Sequence, residues 1–408
     1  MEQKRWDLLA LASIPLMMTL GNSMLIPVLP LIEKEINITA FQSSLIISIY
    51  SFIAIILIPV SGYLSDRIGR KKVIIPSLII VGAGGALSAY AAWQMKNPYA
   101  VIMIGRFLQG VGASGAFPVV LPTVGDMFKE EEQVSQGLGV IETANTLGKV
   151  LSPILGALLA VVIWYMPFIA IPILSFVSML LVLFLVKTPK KEKTEEKSNP
   201  SFHEFLLGIK KTFHDNGRWL FAVFFIGCIL MLVLFGILFH FSSLLEEKFN
   251  INGYRKGLIL AIPLLFLCIA SFSSGKIIGE DKIRMKWFIL VGNGTAAVSL
   301  FFVREDMNLF MFTLLLSLAG IGIGLSLPCL DALITEGIKK EERGSITSFY
   351  SSMRFVGVAA GPPVVALLMK YEASLIYYIL AGVSAVAVLL TFAAIKPSSE
   401  REKEPAVN

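Results

Sequence analysis

Cysteine and histidine are scarce in this chain, with three of each among 408 residues. Cys228, Cys268 and Cys329 stand singly in apolar stretches, and His203, His214 and His240 are equally dispersed. That scatter offers neither a disulfide framework nor a metal-ligand cluster. Charge is scarce too, at 16% against 55% hydrophobic residues, and the mean hydropathy is +0.76, well outside the range of soluble globular chains. No soluble domain with a basic face is present, so the net charge of +6 does not point to a nucleic-acid partner. Clustered nucleophiles, metal ligands and an attached soluble domain are all lacking, which excludes a membrane-embedded enzyme or sensor.

Apolar runs are what the chain does have. A spanning helix needs about 20 mostly apolar residues, and such runs recur at 6–32, 41–64, 73–93, 99–122, 136–160, 163–186, 219–244, 254–277, 286–303, 309–333, 345–369 and 374–395. The count rests on the break between the fifth and sixth spans. No charge appears there from Lys149 to Lys187, and Trp164, Tyr165 and Pro167 supply an interfacial boundary. The first span is too long and too polar at its far end for a signal peptide, and no small-residue cleavage site follows it.

Twelve spans with both ends cytoplasmic place 25 Lys and Arg residues in cytoplasmic segments and only seven outside: Lys34, Lys96, Lys248, Arg255, Lys256, Arg304 and Lys370. Cytoplasmic loops attract positive charge, so the net charge reflects topology. Arg106, Lys149 and Arg354 are left at membrane depth.

These features divide the chain into a six-helix bundle over 1–187, a cytoplasmic linker over 188–218, and a second six-helix bundle with a short tail over 219–408. The run KTPKKEKTEEKSNPS cannot bury a core. Beyond it Phe202, Phe205, Leu206, Ile209 and Phe213 recur at helical spacing against Lys210 and Lys211. They form either an amphipathic helix at the membrane surface or an extension of the seventh span.

The halves echo each other. LPTVGD at 121–126 matches LPCLDA at 327–332, and Gly148, Ser152 and Pro153 match Gly357, Gly361 and Pro362. Two repeated bundles can rock about a central site and expose it to either face in turn.

Between the second and third spans stand Gly62, Asp66, Arg67, Gly69, Arg70, Lys71 and Lys72. Glycine at 62 allows close helix approach, Gly69 a tight turn, and Asp66 with Arg70 a charge-assisted contact that holds the bundles shut. This loop resembles the signature of the major facilitator superfamily almost letter for letter, while its second-half counterpart, 275–286, is degenerate. The resemblance implies an all-α fold of twelve helices in two pseudo-two-fold bundles. It also implies that the aspartate faces the start of the eleventh span and that Arg70 meets Asp126.

Three further segments carry the resemblance. Gly105, Arg106, Gln109 and Gly110 are similar to the family's RxxQG segment, which implies a part for Arg106 in proton movement, with packing as the alternative. An unpaired arginine at membrane depth costs about 2.5–3.5 kcal/mol, so Arg106 must find partners. Gly148, Ser152, Pro153 and Gly156 resemble the family's antiporter motif, with Ser152 and Ala157 replacing two glycines, and Gly357, Gly361 and Pro362 repeat it. Small residues at this spacing also serve ordinary helix packing. Leu20, Gly21, Asn22, Pro27 and Pro30 look like the first helix of bacterial drug exporters, with Asn22 a polar contact beside a bend.

Glu142 reads as the one carboxylate well inside a span, and Lys149 follows two helical turns later on nearly the same face. Desolvation favours the neutral form of a carboxyl, which suits a group that exchanges a proton. Glu142 is thus either the coupling residue or a static ion pair with Lys149, Arg106 or Arg354. Asp7, Glu33 and Asp331 fall near span ends, where hydrated anchoring is expected, and His240 reads as an interior polar packer. The methionines and phenylalanines, 15 and 28, suit an adaptable apolar cavity or lipid-facing surfaces.

The resemblance therefore implies a monomeric, multi-pass transporter of the cell membrane. It needs no cofactor beyond a proton gradient, and exports lipophilic drugs by antiport through alternating access. An exporter of a specific sugar, glycolipid or amino-acid-type metabolite on the same scaffold is the alternative.

Overall fold

The computed structural model describes residues 4–128, 131–186, 202–279, 281–304, 306–338, 340–371 and 373–395. The charged stretch 187–201 and the tail from 396 lie outside them, as do the side chains of 202–216. Among the described residues all regular structure is helical. The helices are α1 (Arg5–Ser23), α2 (Leu29–Ile36), α3 (Ala40–Ile68), α4 (Arg70–Gln94), α5 (Tyr99–Met127), α6 (Glu131–Val162) and α7 (Met166–Leu185). They continue with α8 (Phe202–Glu247), α9 (Gly253–Ile278), α10 (Lys282–Phe301), α11 (Leu309–Gly337), α12 (Lys340–Leu368) and α13 (Ala373–Ala394).

Among the described residues eleven rods are long and apolar enough to cross a bilayer, counting α1 and α2 together as Arg5–Ile36. The twelfth, α10, carries Lys282, Arg284 and Lys286 in its opening turns and Asn293 at its middle, which lowers its apolarity. The fifth and sixth spans do part at Trp164 and Tyr165, whose rings meet edge to face between α6 and α7. Residues 202–218 run into the seventh rod as one continuous helix.

Proline chemistry explains the division of the first rod. Pro30 has no N–H to offer the Ile26 carbonyl, so the chain tightens into a 3₁₀ turn at Ile26–Val28 before α2 begins. The Ile26 carbonyl accepts instead from the Leu29 N–H and, 2.9 Å away, from the Ser242 hydroxyl of α8.

Helices α1 to α7 pack on one another as one bundle and α8 to α13 as the other. The main contacts between bundles are α3 with α12 and α6 with α9. A two-fold axis relating α1 to α8, α3 to α9 and α6 to α12 turns the first of these pairings into the second, as a duplicated six-helix unit requires.

Small residues bring α6 and α12 tight against their partners. A side chain on Gly156 would begin 1.9 Å from the Met24 carbonyl oxygen of the first rod, and one on Gly357 2.1 Å from the Cys228 carbonyl oxygen of α8. Gly148 and Gly361 sit less tightly on the same two neighbours. In a bilayer, where helices gain nothing by hiding from water, such backbone approach supplies much of the association energy. Gly156→Ala is therefore expected to cost about 1–3 kcal/mol of stability, whereas Gly382→Ala, with nothing within 4 Å, leaves it unchanged. Thermal unfolding of the purified variants in detergent checks this, and equal midpoints refute the packing argument.

Candidate functional site

The polar residues singled out from the sequence separate into two groups. Arg106 is fully buried inside the first bundle. Its Nε donates to the Ile46 carbonyl at 2.8 Å, Nη1 to Gln109 Oε1 at 2.6 Å and Nη2 to Asn22 Oδ1. The guanidinium lies 4.7 Å from the centre of the Tyr50 ring. Turning Oε1 of Gln109 toward the guanidinium leaves its Nε2 without a described partner. Neutral oxygens and a ring face thus disperse this charge, and a desolvated cation–π contact is worth about 2 kcal/mol.

The second group lies between the bundles. Glu142 and Lys149 of α6 are within electrostatic range of each other and of Asp331 on α11 and Arg354 on α12. Arg354 Nη1 donates to Asp331 Oδ1 at 3.3 Å, and the Tyr350 hydroxyl faces Asp331. Glu142 is exposed and lies within electrostatic range of Asp331 in the opposing bundle. Its carboxylate accepts from Asn145 Nδ2 at 3.2 Å and stands 3.5 Å from the Thr146 hydroxyl.

Asp331 lies near the end of its span, Leu309–Ile334, as expected, and pairs with Arg354 across the second bundle. Arg106 does not join Glu142 directly. The groups are connected through α1, where Asn22 accepts from Arg106 while Thr19, one turn earlier, donates to Asn145 Oδ1 at 2.6 Å. The side chain of Asn145 is in turn the donor to Glu142.

In the loop after α3 Arg70 meets Asp126 as expected, while the side chains that open the eleventh span, which Asp66 was expected to face, lie outside the described residues. Arg70 pairs with Asp66, donates from Nη1 to Ser65 Oγ at 2.7 Å and from Nε to Asp126 Oδ2 at 2.9 Å. All three partners belong to the first bundle, so these bonds fasten α3, α4 and α5 rather than one bundle to the other. Arg67 stacks 4.8 Å from the Tyr63 ring centre. Gly69 sits at φ 105°, a conformation that favours glycine, and ends α3. A Cβ at Gly62 would lie 3.5 Å from Ser348 Oγ of α12, an ordinary contact, so the approach there does not demand glycine.

Residues that sequence reasoning missed close the other end of the cleft. Glu246, at the end of α8, takes Lys34 from α2 and Lys256 from α9, the latter at 3.0 Å from Nζ to Oε2. Lys256 is only 2% exposed, although a charged residue so near a span end would be expected to stand in a hydrated loop. Gly257 seats against the Pro153 carbonyl oxygen, where a Cβ would lie 2.4 Å away, and so draws α9 onto α6. The signal was available: Glu246 is a carboxylate ending a span, with lysines ending the first and opening the eighth. His240, the expected polar packer, meets the Tyr377 hydroxyl at 2.6 Å in the interior of the second bundle.

Below this clasp lies a small, mostly apolar space between the bundles, with Lys149, Ser23 and Pro153 on one wall and Phe235, Leu238 and Leu264 on the other. Among the described residues no group of His, Cys, Asp and Glu could hold a metal ion. The site therefore offers charged groups of both signs beside apolar surface.

Comparison with known proteins follows this geometry. The sequence model of the Major Facilitator Superfamily matches residues 11–303 and 247–407. The chain is 53% identical over 399 residues to the bacillibactin exporter of Bacillus subtilis (strain 168), covering 97% of this chain and 98% of that one. It is 27% identical over 352 residues to the class G tetracycline resistance protein of Vibrio anguillarum, covering 84% and 85%. With macrolide efflux protein A of Enterococcus faecalis it shares 25% over 316 residues, covering 74% and 93%. In fold it matches the crystal structure of the human organic anion transporter MFSD10 (TETRAN) with a TM-score of 0.71 at 17% identity, covering 95% and 99%.

The Asp331–Arg354 pair yields a test of the site's electrostatics. Removing one member of a paired charge in a poorly solvated place leaves the other uncompensated, whereas removing both does not. Asp331→Asn is expected to lower the unfolding midpoint, and adding Arg354→Gln to restore part of the loss. Thermal unfolding of the two variants decides it, and a double variant less stable than the single one refutes the pairing.

Proposed function

The chain belongs to the Major Facilitator Superfamily, a transporter rather than an enzyme, and we propose that it exports bacillibactin across the cell membrane in exchange for protons. The observation that carries the cargo is the 53% identity to the bacillibactin exporter over nearly the whole of both chains. The tetracycline and macrolide relatives, at 27% and 25%, support a second reading in which the cargo is a lipophilic drug.

Glu142 is the coupling residue in this proposal. It is accessible, it lies within electrostatic range of the opposing bundle, and its carboxylate accepts from Asn145. A proton taken by Glu142 removes one negative charge from a group that also holds Lys149, Asp331 and Arg354, and shifts the attraction between the bundles. Exchange between clasped and unclasped arrangements at the Glu246 end supplies alternating access. Asn22 and Thr19 carry changes between Arg106 and Glu142. The working unit is a monomer with both termini cytoplasmic, and its partners are the cargo, protons and the bilayer.

Uptake of bacillibactin into everted membrane vesicles under an imposed pH gradient tests this, with ethidium measured alongside. Gradient-dependent bacillibactin uptake that falls to background in Glu142→Gln is the expected result. Uptake surviving in that variant removes Glu142 from the coupling role. Ethidium uptake without bacillibactin uptake moves the cargo to lipophilic drugs.

A further inference from the structure

At the Glu246 end of the cleft the charges do not balance. Glu246 takes Lys34 on one carboxylate oxygen and Lys256 on the other, so a single acid uses both ammoniums. Glu33, beside Lys34 on α2, is half-buried and among the described residues has no cation in contact. The charges that act on it are Glu246 and Glu247 of α8, Lys256 of α9 and Lys34 on its own helix. Three carboxylates thus meet two ammoniums where the bundles close, and two of the three face Glu33 from the opposing bundle.

The described hydrogen-bond partner of the Glu33 side chain is a hydroxyl. Ser43 of α3 is fully buried, and its Oγ lies within reach of two acceptors, Glu33 Oε1 and, at 3.0 Å, the Ala40 carbonyl. A hydroxyl has one hydrogen and can satisfy only one of them, but its oxygen can also accept. A protonated Glu33 completes the set by donating to Ser43 Oγ, whose own hydrogen then goes to Ala40. The same proton removes the repulsion between Glu33 and the two acids across the interface, which is strong where little water screens it. We infer that Glu33 is a second proton-binding site, apart from Glu142, and that it takes up a proton for this end of the cleft to close. When the bundles part, water reaches Glu33 and the proton leaves. With both termini cytoplasmic this end faces outside, so the proton comes from the external side and acid there favours the closed arrangement. The inference rests on the reading that the cleft opens at this end, and not on the cargo.

Distances across the closure test it. Spin labels are attached at Asn97→Cys and Asp306→Cys, exposed positions in the α4–α5 and α10–α11 loops of opposite bundles, with Cys228, Cys268 and Cys329 replaced by serine. The Tyr99 hydroxyl on the Gln42 carbonyl and Lys248 on the Met307 carbonyl hold these loops to the same end as the clasp. The full-length protein in nanodiscs carries Glu142→Gln throughout, so that its coupling proton plays no part, and double electron–electron resonance is read from about pH 9 to about pH 5. The closed form binds one proton more, so acid raises the ratio of short to long distances, by up to about tenfold for each pH unit. Glu33→Gln, whose amide donates to Ser43 as the protonated acid does, is expected to hold the short distance at every pH. Ser43→Ala keeps the response and moves its midpoint to lower pH, since the proton has lost its acceptor. A labelled reference whose distances stay fixed with pH, a Glu33→Gln variant that follows the reference, or a Ser43→Ala midpoint that moves up overturns the inference. Bacillibactin transport by the unlabelled parent in proteoliposomes is read separately. Transport with a closure that does not respond to pH sinks the role of Glu33 and spares the export reading, and a Glu33-dependent closure without transport does the converse.

Discussion

A guanidinium that water cannot reach organises the first bundle. Arg106 is fully buried, where an unsolvated charge is costly, and α1, α3 and its own helix turn polar groups to it. The backbone of α3 gives up the Ile46 carbonyl, α1 contributes Asn22, and Tyr50 presents its ring face. Tyr50 then stands 6.4 Å, ring to ring, from Phe355 of α12. The group that solvates Arg106 thereby reaches the surface along which the two bundles meet.

That surface is made by two different kinds of contact. Along α6 and α12 the backbones touch through small residues, which gives rigid seams within each bundle. Between the bundles the seams are α3 with α12 and α6 with α9, closed at one end by Lys34, Glu246 and Lys256 and by the Ser242 hydroxyl on the Ile26 carbonyl. Rigid halves joined by ion pairs and single hydrogen bonds are suited to move as bodies, because the bonds between them can be exchanged while the packing within them stays intact. The proline pair at Pro27 and Pro30 belongs to both kinds, since it breaks the first rod and frees the carbonyl that the other bundle uses.

Much of this was legible in the residues. Membrane insertion, the number of rods and the parting at Trp164 follow from hydropathy and from the spacing of charge, because a bilayer tolerates little else. The Arg70 loop and the glycines of α6 and α12 could be read because each carries its own local chemistry, a turn or a close approach. Asp331 could be placed near a span end because the apolar run stops there, but its pairing with Arg354 takes two helices to form. Glu246 was missed because its partners come from other rods, Lys34 from the first bundle and Lys256 from the neighbouring helix α9, and pairing between helices leaves no periodicity in any single stretch.

The sequence by itself determined that this chain lives in lipid, as a duplicated set of helices carrying three cations at depth. Hydrophobic length and the scarcity of charge act on each segment independently of its neighbours. Only the tertiary structure decided which of those cations are neutralised and by what. Arg106 is surrounded by neutral dipoles, Arg354 has Asp331, and Lys149 is left facing an apolar space between the bundles. Electrostatic interaction depends on distance in space and on the loss of water, and neither is set until twelve helices from two halves of the chain have packed together.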